Sequence, residues 1–187
     1  MNDWDGVLAR ALEVSAKAHA DHTRKGSEIP YIVHPFEVAM ILQENGMTEE
    51  VIAAGLLHDI LEDTSLTETD IKDKFGQSIL DLVIGASEKL TDREKRSWKE
   101  RKEHTVYYLD QEASFTIKCV SCADKLSNAR SIVRDLKSIE DEQQFWNRFN
   151  AGRENQKWYY KSLVNSLREL EGLQMYRELE KTVESLF

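Results

Sequence analysis

The chain has 187 residues, 41% of them hydrophobic, which is enough for one domain whose core needs no disulfide. Its formal net charge of −9 argues against non-specific nucleic-acid binding, which requires a basic surface. An acidic protein also repels anionic ligands in general. A phosphate-bearing ligand would therefore need a local group of cations or a metal ion.

The first ten residues, MNDWDGVLAR, lack the basic start and the apolar stretch of a signal peptide. The longest fully apolar run, 51–57, is far shorter than a membrane span. These features predict a cytoplasmic protein without a membrane partner.

Apolar spacing predicts a helix within 4–21, followed by a polar loop from His22 to Ile29. Pro35 suits the first turn of a second helix, which Gly46 would end as a C-cap. Thr48 is then the expected N-cap of a third helix at about 49–62. Because that helix is apolar nearly all round, it belongs in the centre of the domain.

Thr69 or Asp70 is expected to cap a short helix that ends at Gly76. The later helical patterns cover about 78–89, 94–110, 114–137 and 140–185. No useful stretch alternates with a period of two, so no sheet is predicted. The prediction is an all-α, single-domain protein over 1–187, with a motif-bearing core at about 5–135 and C-terminal helices at about 140–185.

The central helix contains a conflict, because His58 and Asp59 interrupt its apolar run and Glu62 and Asp63 follow one turn later. Buried carboxylates cost several kcal/mol unless they are paired or bind a metal. An exposed polar helix end explains these four residues equally well when they are considered alone. Side chains three or four positions apart nevertheless share one helix face.

Two further residues favour a metal site. Asp124 is a single carboxylate within the apolar run FTIKCVSCA, and His34 precedes Pro35 at a helix start. Two imidazoles with carboxylates suit a borderline divalent ion such as Mn, Fe, Zn or Co. Such an ion lowers the pKa of water and polarises a phosphoryl oxygen. Glu62 and Asp63 could then orient the water or carry its proton.

Other candidates have ordinary explanations. Arg24 and Lys25 lie in a polar loop, where they are either solvated or able to grip phosphate. His19, His22 and His104 are interpreted as surface groups or as groups behind the site. Cys119 and Cys122 form a C-x-x-C, but no second Cys pair completes a zinc site, so we interpret them as packed helix residues. The following aromatic residues are interpreted as core or rim groups: Trp146, Phe149, Trp158, Tyr159 and Tyr160.

The ordered segments RKGSEIPYIVHPFEVAMIL, AAGLLHDILEDT, IKDKFGQSI and CADKLSNARSI resemble the HD-domain hydrolases of RelA/SpoT-type proteins. The resemblance is closest to stand-alone small alarmone hydrolases and covers about residues 5–135. It implies an all-helical HD fold. It also implies an Mn²⁺-dependent enzyme that removes the 3′-diphosphate of guanosine 3′,5′-bis(diphosphate), or of its 5′-triphosphate form, as pyrophosphate.

The resemblance also assigns roles to individual residues. His34, His58, Asp59 and Asp124 would be the metal ligands, and Glu62 and Asp63 would activate water. The implied substrate-binding residues are Arg24, Lys25, Asn128, Lys99 and Tyr159, of which the last two match more loosely.

The nucleotide stays open at this point, because the segment WNRFNAGRENQKWYYKSL departs from the pattern of the best-known alarmone hydrolases. The alternatives are an adenosine alarmone, a dNTP, a nucleoside monophosphate or a phosphorylated dinucleotide such as NADPH. A non-catalytic nucleotide-sensing module is the alternative from another class, although it has no need of Glu62 and Asp63. A homodimer formed through the charged run at 92–104 is also left open. Otherwise we interpret that run as a solvated helix face.

Overall fold

A computed structural model describes residues 6–25, 27–87, 96–139, 141–149 and 151–187. Within these ranges the regular structure is helical, apart from an isolated β-bridge between Thr23 and Pro30. The all-α prediction is therefore confirmed. The elements are α1 (Val7–Ala18), α2 (Val33–Glu44), α3 (Glu49–Leu57), α4 (Ile60–Asp63), α5 (Glu68–Phe75), α6 (Gln77–Ala86), α7 (Trp98–Gln111), α8 (Phe115–Lys137), α9 (Glu142–Trp146), α10 (Gly152–Ser166), a 3₁₀ turn (Arg168–Leu170) and α11 (Gln174–Leu186).

Helix α3 lies at the centre, as its apolar composition predicts. Every residue from Val51 to Leu57 is buried, and the helix packs against α1, α2, α6 and α8. A Cβ on Gly55 would lie 2.5 Å from Leu42 Cδ1, so α2 and α3 approach more closely than a larger residue allows. Helix α8 contacts α2, α3, α6 and α11. The two central helices thus meet, which brings the end of α3 near the middle of α8.

The prediction of one helix over 49–62 is wrong, because α3 ends at Leu57. The carbonyl of His58 accepts a hydrogen bond from Ser87 Oγ at 2.9 Å. A new helical turn then starts at Asp59, whose carbonyl accepts from the backbone N–H groups of Glu62 and Asp63. The break separates His58 and Asp59 from both helices and lets their side chains turn into the interior.

The predicted cap of the fifth helix is also wrong by a few residues. Thr67 is the N-cap, and its hydroxyl accepts from the Asp70 backbone N–H while the Asp70 carboxylate accepts from the Thr67 N–H. Asp70 is therefore the reciprocal member of a capping box rather than the cap itself. The predicted end at Gly76, with a φ of +83°, is confirmed.

Most other boundaries agree with the predictions. Thr48 is the N-cap of α3, α2 begins two residues before Pro35, and Gly46 follows α2 with a φ of +71°. The predicted helices at 78–89 and 94–110 correspond to α6 and α7, although 88–95 lies outside the described residues. The charged run at 92–104 is therefore described only from residue 96 onward.

The C-terminal helices complete the core. Helix α10 packs against α7 and α11, and α11 packs against α8. Trp146, Tyr159 and Tyr160 are buried, whereas Phe149 and Trp158 are partly buried, as expected of core and rim aromatics.

The two cysteines are buried within α8, as predicted. Burial raises the pKa of the Cys119 thiol to about 12, and it raises the pKa of Cys122 further. Neither thiol is therefore a nucleophile near neutral pH. Among the described residues, no helix has the length and apolar character needed to cross a membrane.

Candidate metal centre

Three parts of the chain supply the predicted ligands. His34 is the second residue of α2, His58 and Asp59 form the break between α3 and α4, and Asp124 lies in the middle of α8. Both histidines are 2% exposed, so they are buried rather than part of a polar surface. The explanation of His58 and Asp59 as an exposed helix end is therefore excluded.

The four side chains converge on one point. Ligand atoms of His34, His58 and Asp59 all lie within 4.8 Å of one another. Asp124 Oδ1 is 3.2 Å from His34 Nε2 and 3.7 Å from His58 Nε2. The Oδ2 atom of Asp59 is 3.0 Å from His58 Nε2 and 3.5 Å from His34 Nε2. Two imidazole nitrogens and two carboxylate oxygens thus face a common centre.

Hydrogen bonds fix the ring of His34. Ser127 Oγ donates to Glu37 Oε2 at 3.0 Å, so its oxygen accepts from His34 Nδ1 at 2.9 Å. The proton of the neutral ring is therefore on Nδ1, and the lone pair of Nε2 points at the centre. This relay from carboxylate through hydroxyl to imidazole is an arrangement typical of metal-binding histidines.

A hydrogen bond from Nδ1 also fixes the ring of His58. Its Nδ1 donates to the Gly55 carbonyl at 2.8 Å. Its Nε2 is buried and has no hydrogen-bond partner among the described residues, although Asp59 Oδ2 lies nearby. A buried nitrogen without a partner is costly, and a metal ion would satisfy it.

The two carboxylates are held by neighbours as well. The hydroxyl of Tyr31 donates to Asp59 Oδ2 at 2.6 Å. Asn128 Nδ2 donates to Asp124 Oδ1 at 2.6 Å, and Lys125 Nζ donates to Asp124 Oδ2 at 2.5 Å. Each carboxylate therefore has a defined orientation towards the histidines.

The electrostatics of the cluster are those of a cation site. Burial lowers the pKa of His58, but the charges of Asp59 and Asp124 outweigh it and raise that pKa well above its ordinary value. Burial raises the pKa of both carboxyls, but His58 holds the pKa of Asp59 low and Lys125 holds the pKa of Asp124 low. Because both carboxylates stay charged, the cluster favours a positive charge at its centre.

These observations fit a divalent metal ion. The donor set of two nitrogens and two oxygens suits a borderline transition metal, and four protein ligands leave positions on an octahedral ion for water and substrate. The convergence of the donors and the buried Nε2 of His58, which lacks a hydrogen-bond partner among the described residues, both agree with a bound metal ion.

Glu62 and Asp63 occupy different surroundings. Glu62 is partly buried and lines a cavity of about 280 Å³, cavity B, together with Asp59 and Asp124. Asp63 is exposed and lines a separate depression with His22 and Lys74. The two acidic residues predicted to act on water are therefore not in equivalent positions.

A second cavity adjoins the cluster. This cavity A has a volume of about 370 Å³ and reaches His34. Its polar and aromatic lining includes Arg24, Lys25, Asn128, Arg134, Arg148 and Phe149. Tyr31 and Asn128 line both cavities, so the metal cluster lies at their junction.

Three predicted substrate-binding residues meet in cavity A. Arg24 Nη2 donates to Asn128 Oδ1 at 3.0 Å, and Lys25 lies next to Arg24 in the same lining. Because Asn128 also donates to Asp124, one chain of hydrogen bonds connects a cation of cavity A with a candidate metal ligand.

The other two predicted substrate-binding residues differ from each other. Tyr159 lines cavity B, whereas Lys99 lines neither cavity and lies 2.8 Å above the centre of the Trp158 ring. One turn along α7, Lys102 lines cavity B instead, together with His104. Lys102 was not predicted, although it lies three residues after Lys99 and so shares a helix face with it.

Tyr31 and Ser127, which hydrogen-bond to the candidate ligands, were also missed. Tyr31 lies three residues before His34, and Ser127 lies three residues after Asp124 on the same helix face, so spacing offered a signal for both. His19 is buried and its ring packs 4.8 Å from that of Tyr31. Its Nδ1 lies 3.1 Å from His22 Nδ1, so these two histidines do have partners. Only His104 is an exposed surface histidine.

The family model for the HD domain matches residues 11–156, which is most of the chain. The chain belongs to the HD-domain family. HD domains are metal-dependent, and this one has the His/Asp cluster that could hold an ion.

Two solved structures are similar to this HD-domain chain over most of its length. A protein of Listeria monocytogenes EGD-e is 35% identical, with a TM-score of 0.73 over 86% of this chain and 99% of that one. A metazoan orthologue of SpoT that hydrolyses ppGpp is 26% identical, with a TM-score of 0.74 over 97% of this chain and 94% of that one.

A relative from Aquifex aeolicus, named guanosine-3′,5′-bis(diphosphate) 3′-pyrophosphohydrolase, is 46% identical over 80 residues, which are 43% of this chain. The match spans only 11% of that relative, and the first curated relatives are covered over at most 18% of their length. Together these relatives confirm the resemblance to RelA/SpoT-type HD proteins.

Proposed function

We propose that this HD domain is a metal-dependent (p)ppGpp 3′-pyrophosphohydrolase, which converts guanosine 3′,5′-bis(diphosphate) and water into GDP and pyrophosphate. The observation that carries the proposal is the convergence of two imidazoles and two carboxylates at the junction of two cavities. The names of the relatives add support, because the Aquifex aeolicus protein is named for this reaction and the metazoan orthologue hydrolyses ppGpp.

The proposed metal ligands are His34, His58, Asp59 and Asp124, and the proposed ion is Mn²⁺. Imidazole and carboxylate donors together suit Mn²⁺, whereas a purely thiolate site would not. When bound, the ion would polarise a phosphoryl oxygen and lower the pKa of water. Tyr31, Asn128 and Lys125 keep the carboxylates in place, so the ligand geometry is set before substrate binds.

Glu62 is the proposed base for the attacking water. It lines cavity B beside Asp59 and Asp124, within the region where water and phosphorus would meet. A carboxylate there can accept a proton from water as the oxygen bonds to phosphorus. Asp63, the next residue along the chain, is proposed to assist Glu62, although it lines a separate depression.

The proposed substrate contacts in cavity A are those of Arg24, Lys25 and Asn128. A guanidinium can form two hydrogen bonds to one phosphate, and the amide of Asn128 can pair with a ribose or base. Tyr159, which lines cavity B, and Lys99, whose ammonium group lies over the Trp158 ring, remain in the proposed set.

A substrate panel tests the proposal. The purified chain with Mn²⁺ is incubated with ppGpp, pppGpp, an adenosine alarmone, a dNTP, a nucleoside monophosphate and NADPH, and the phosphate products are separated by ion-exchange chromatography. We expect pyrophosphate together with GDP or GTP from the two guanosine alarmones. Orthophosphate from NADPH or a monophosphate, or triphosphate from a dNTP, with the alarmones untouched, would move the function to that nucleotide. Binding of ppGpp without any turnover would favour the sensing module.

We also propose what the protein binds and where it acts. The proposed partner is the small nucleotide itself, with neither nucleic acid nor membrane, and the proposed location is the cytoplasm. Association into a homodimer stays a prediction.

A further inference from the structure

A cluster of charged side chains joins α2, α8 and α11 beside the metal centre. Glu37 of α2 accepts hydrogen bonds from two residues of α8, Arg130 Nη1 at 3.5 Å and Arg134 Nη2 at 3.3 Å. Arg130 also pairs with Glu178 of α11. The proposed function gives none of these four residues a role. Glu37 is nevertheless partly buried, and its carboxylate reaches Ser127, which contacts a candidate metal ligand.

The two arginines fix the direction in which hydrogen bonds run through Ser127. A guanidinium has only donors, so the Glu37 carboxylate accepts from both arginines and also from the Ser127 hydroxyl at 3.0 Å. Because Ser127 gives its one proton to Glu37, its oxygen accepts from His34 Nδ1, which is 2.9 Å away. The charged cluster therefore acts on the ring of a candidate metal ligand through a single hydroxyl group.

Two carboxylates compete for the ring proton of His34. Asp124 Oδ1 lies 3.2 Å from His34 Nε2, close enough to accept a hydrogen bond if the proton were on that nitrogen. A proton on Nε2 would occupy the lone pair that faces the metal centre. Glu37 opposes this through Ser127, because it favours the proton on Nδ1. The balance between the two carboxylates therefore decides whether His34 is ready to bind an ion.

The substitution Glu37→Gln would reverse the hydrogen bonds. The Nη1 groups of Arg130 and Arg134 both lie 3.5 Å from Glu37 Oε1, so the single amide oxygen of glutamine would take that position. The NH₂ group would then replace Oε2 and donate to Ser127. The hydroxyl would in turn donate to His34 Nδ1, and the ring proton would move to Nε2. A change that keeps the size of the side chain would thus block the lone pair that binds metal.

We propose that Glu37 is a positioning residue for the metal centre, which acts through Ser127 to keep the proton of His34 on Nδ1. The lone pair of Nε2 is then free for the ion. This inference rests on the proposed function, because it takes His34 as a metal ligand. Arg130 and Arg134 orient the Glu37 carboxylate, whereas Glu178 contacts the cluster through Arg130.

A double-mutant cycle on metal affinity tests whether Glu37 acts through Ser127. Mn²⁺ is titrated by equilibrium dialysis into the full chain with Glu37→Gln, with Ser127→Ala and with both changes. We expect each single change to lower the affinity about 10-fold, a usual cost of losing a hydrogen bond behind a ligand. The double variant should bind within about twofold of Ser127→Ala, because without the hydroxyl Glu37 no longer acts on His34. Glu178→Gln removes the same charge from the same cluster, so it is the matched control and should leave the affinity within about twofold of wild type.

The position of the ring proton is a second readout, which needs neither metal nor substrate. Nitrogen-15 NMR of metal-free protein with labelled histidine, in buffer above the ordinary pKa of imidazole, shows which ring nitrogen carries the proton. The His34 signals are those missing from His34→Asn. We expect the proton on Nδ1 in wild type and in Glu178→Gln, and on Nε2 in Glu37→Gln.

Two results would overturn the inference. One is additive losses of Mn²⁺ affinity in the double variant, and the other is the same ring-proton position in wild type and Glu37→Gln. If Glu37→Gln does not fold, Ser127→Ala decides the matter, because an unchanged Mn²⁺ affinity in that variant also contradicts the inference. Turnover of ppGpp is measured in parallel. Absent turnover by a wild-type chain that binds Mn²⁺ would contradict the proposed function, while the affinities still decide the role of Glu37.

Discussion

Glu62 differs from the four candidate ligands because it faces cavity B without belonging to the group of converging donors. We therefore expect Glu62→Gln to keep the affinity for Mn²⁺ within about twofold and to lower kcat by about 10²- to 10⁴-fold, the usual contribution of a general base. Metal titration and steady-state kinetics measure the two quantities. Glu44→Gln, an exposed change at the end of α2, is the control and should alter neither. Normal turnover by Glu62→Gln would remove the base from the mechanism.

Tyr31 acts on the metal site through Asp59. Burial raises the pKa of Tyr31 and the charge of Asp59 raises it further, so the hydroxyl stays protonated and donates to that carboxylate. Loss of a hydrogen bond behind a ligand typically costs 10- to 100-fold in metal affinity. We expect a fall of about that size for Tyr31→Phe, measured by equilibrium dialysis with Mn²⁺. Tyr107→Phe, which changes an exposed ring, serves as the reference, and equal affinities of the two variants would contradict the assignment.

His19 makes the stability of the fold depend on pH. Burial, with smaller contributions from the charges of His22, His58 and His34, lowers the pKa of His19 to about 4, although the charge of Asp59 opposes them. Because the folded pKa is below the unfolded value of about 6.5, this stabilisation is complete above pH 6.5 and is lost as the pH falls to about 4. The raised pKa of His58 has the opposite sign, and its contribution does not change below pH 6.5.

Urea unfolding with a chelator present, at pH 7 and at pH 4.5, measures this effect. We expect the free energy of unfolding to fall by on the order of 2 kcal/mol more for the wild type than for His19→Phe, which keeps an aromatic ring against Tyr31. Parallel losses for the two proteins would show that His19 is not held neutral in the fold.

The residues that bear charge in an apolar context could be predicted from the sequence. His34, His58, Asp59 and Asp124 interrupt or adjoin apolar runs, and burial leaves such groups few roles other than pairing or metal binding. Tyr31 and Ser127 were not predicted to take part, because a tyrosine or a serine has many ordinary places in a fold, and His19 was placed only as either a surface group or a group behind the site. Only the folded structure shows which hydroxyl meets which ligand, because Ser127 of α8 reaches His34 of α2 and Tyr31 reaches Asp59.

At the scale of helices, Gly55 controls how closely α2 and α3 pack. An added Cβ would lie 2.5 Å from Leu42 Cδ1 and 3.3 Å from Val38 Cγ1. We expect Gly55→Ala to destabilise the protein by about 1–3 kcal/mol through overpacking, despite the better helix propensity of alanine. Thermal unfolding measures the change. Gly172→Ala, where a Cβ would meet nothing within 4 Å, is the control, and a similar midpoint for both variants would contradict the close packing.

Helix existence was easier to predict than helix ends. The apolar periodicity of α1 and α8 specified these helices because it reflects the face that is buried, and the all-round apolar composition of α3 specified a central helix. The break at His58 and Asp59 was not visible, since both residues continue a helical pattern and tertiary hydrogen bonds decide the matter. Ser87 supplies one of them from another part of the chain. The capping box of α5 was missed because aspartate is itself a common N-cap residue. Asp70 instead lies at the third helical position and pairs with the N-cap Thr67.

At the scale of the whole molecule, the site depends on helices from both halves of the chain. Helix α8 contacts α2, α3 and α11, and α10 packs against α7 beside cavity B. Tyr159 and Phe149, which line the two cavities, come from the C-terminal region beyond the motif-bearing core. This arrangement supports our proposal that the chain acts as one HD domain rather than a core with an independent tail.

Release of pyrophosphate from ppGpp tests the central claim most directly. The reaction is followed with wild-type chain and Mn²⁺, with the same protein after chelation and dialysis, and with Asp124→Ala. We expect GDP and pyrophosphate in equal amounts from the first sample only, with turnover restored to dialysed wild type by added Mn²⁺ but not to the variant. Undiminished turnover by the metal-free protein or by Asp124→Ala would contradict a metal-dependent pyrophosphohydrolase built on this cluster.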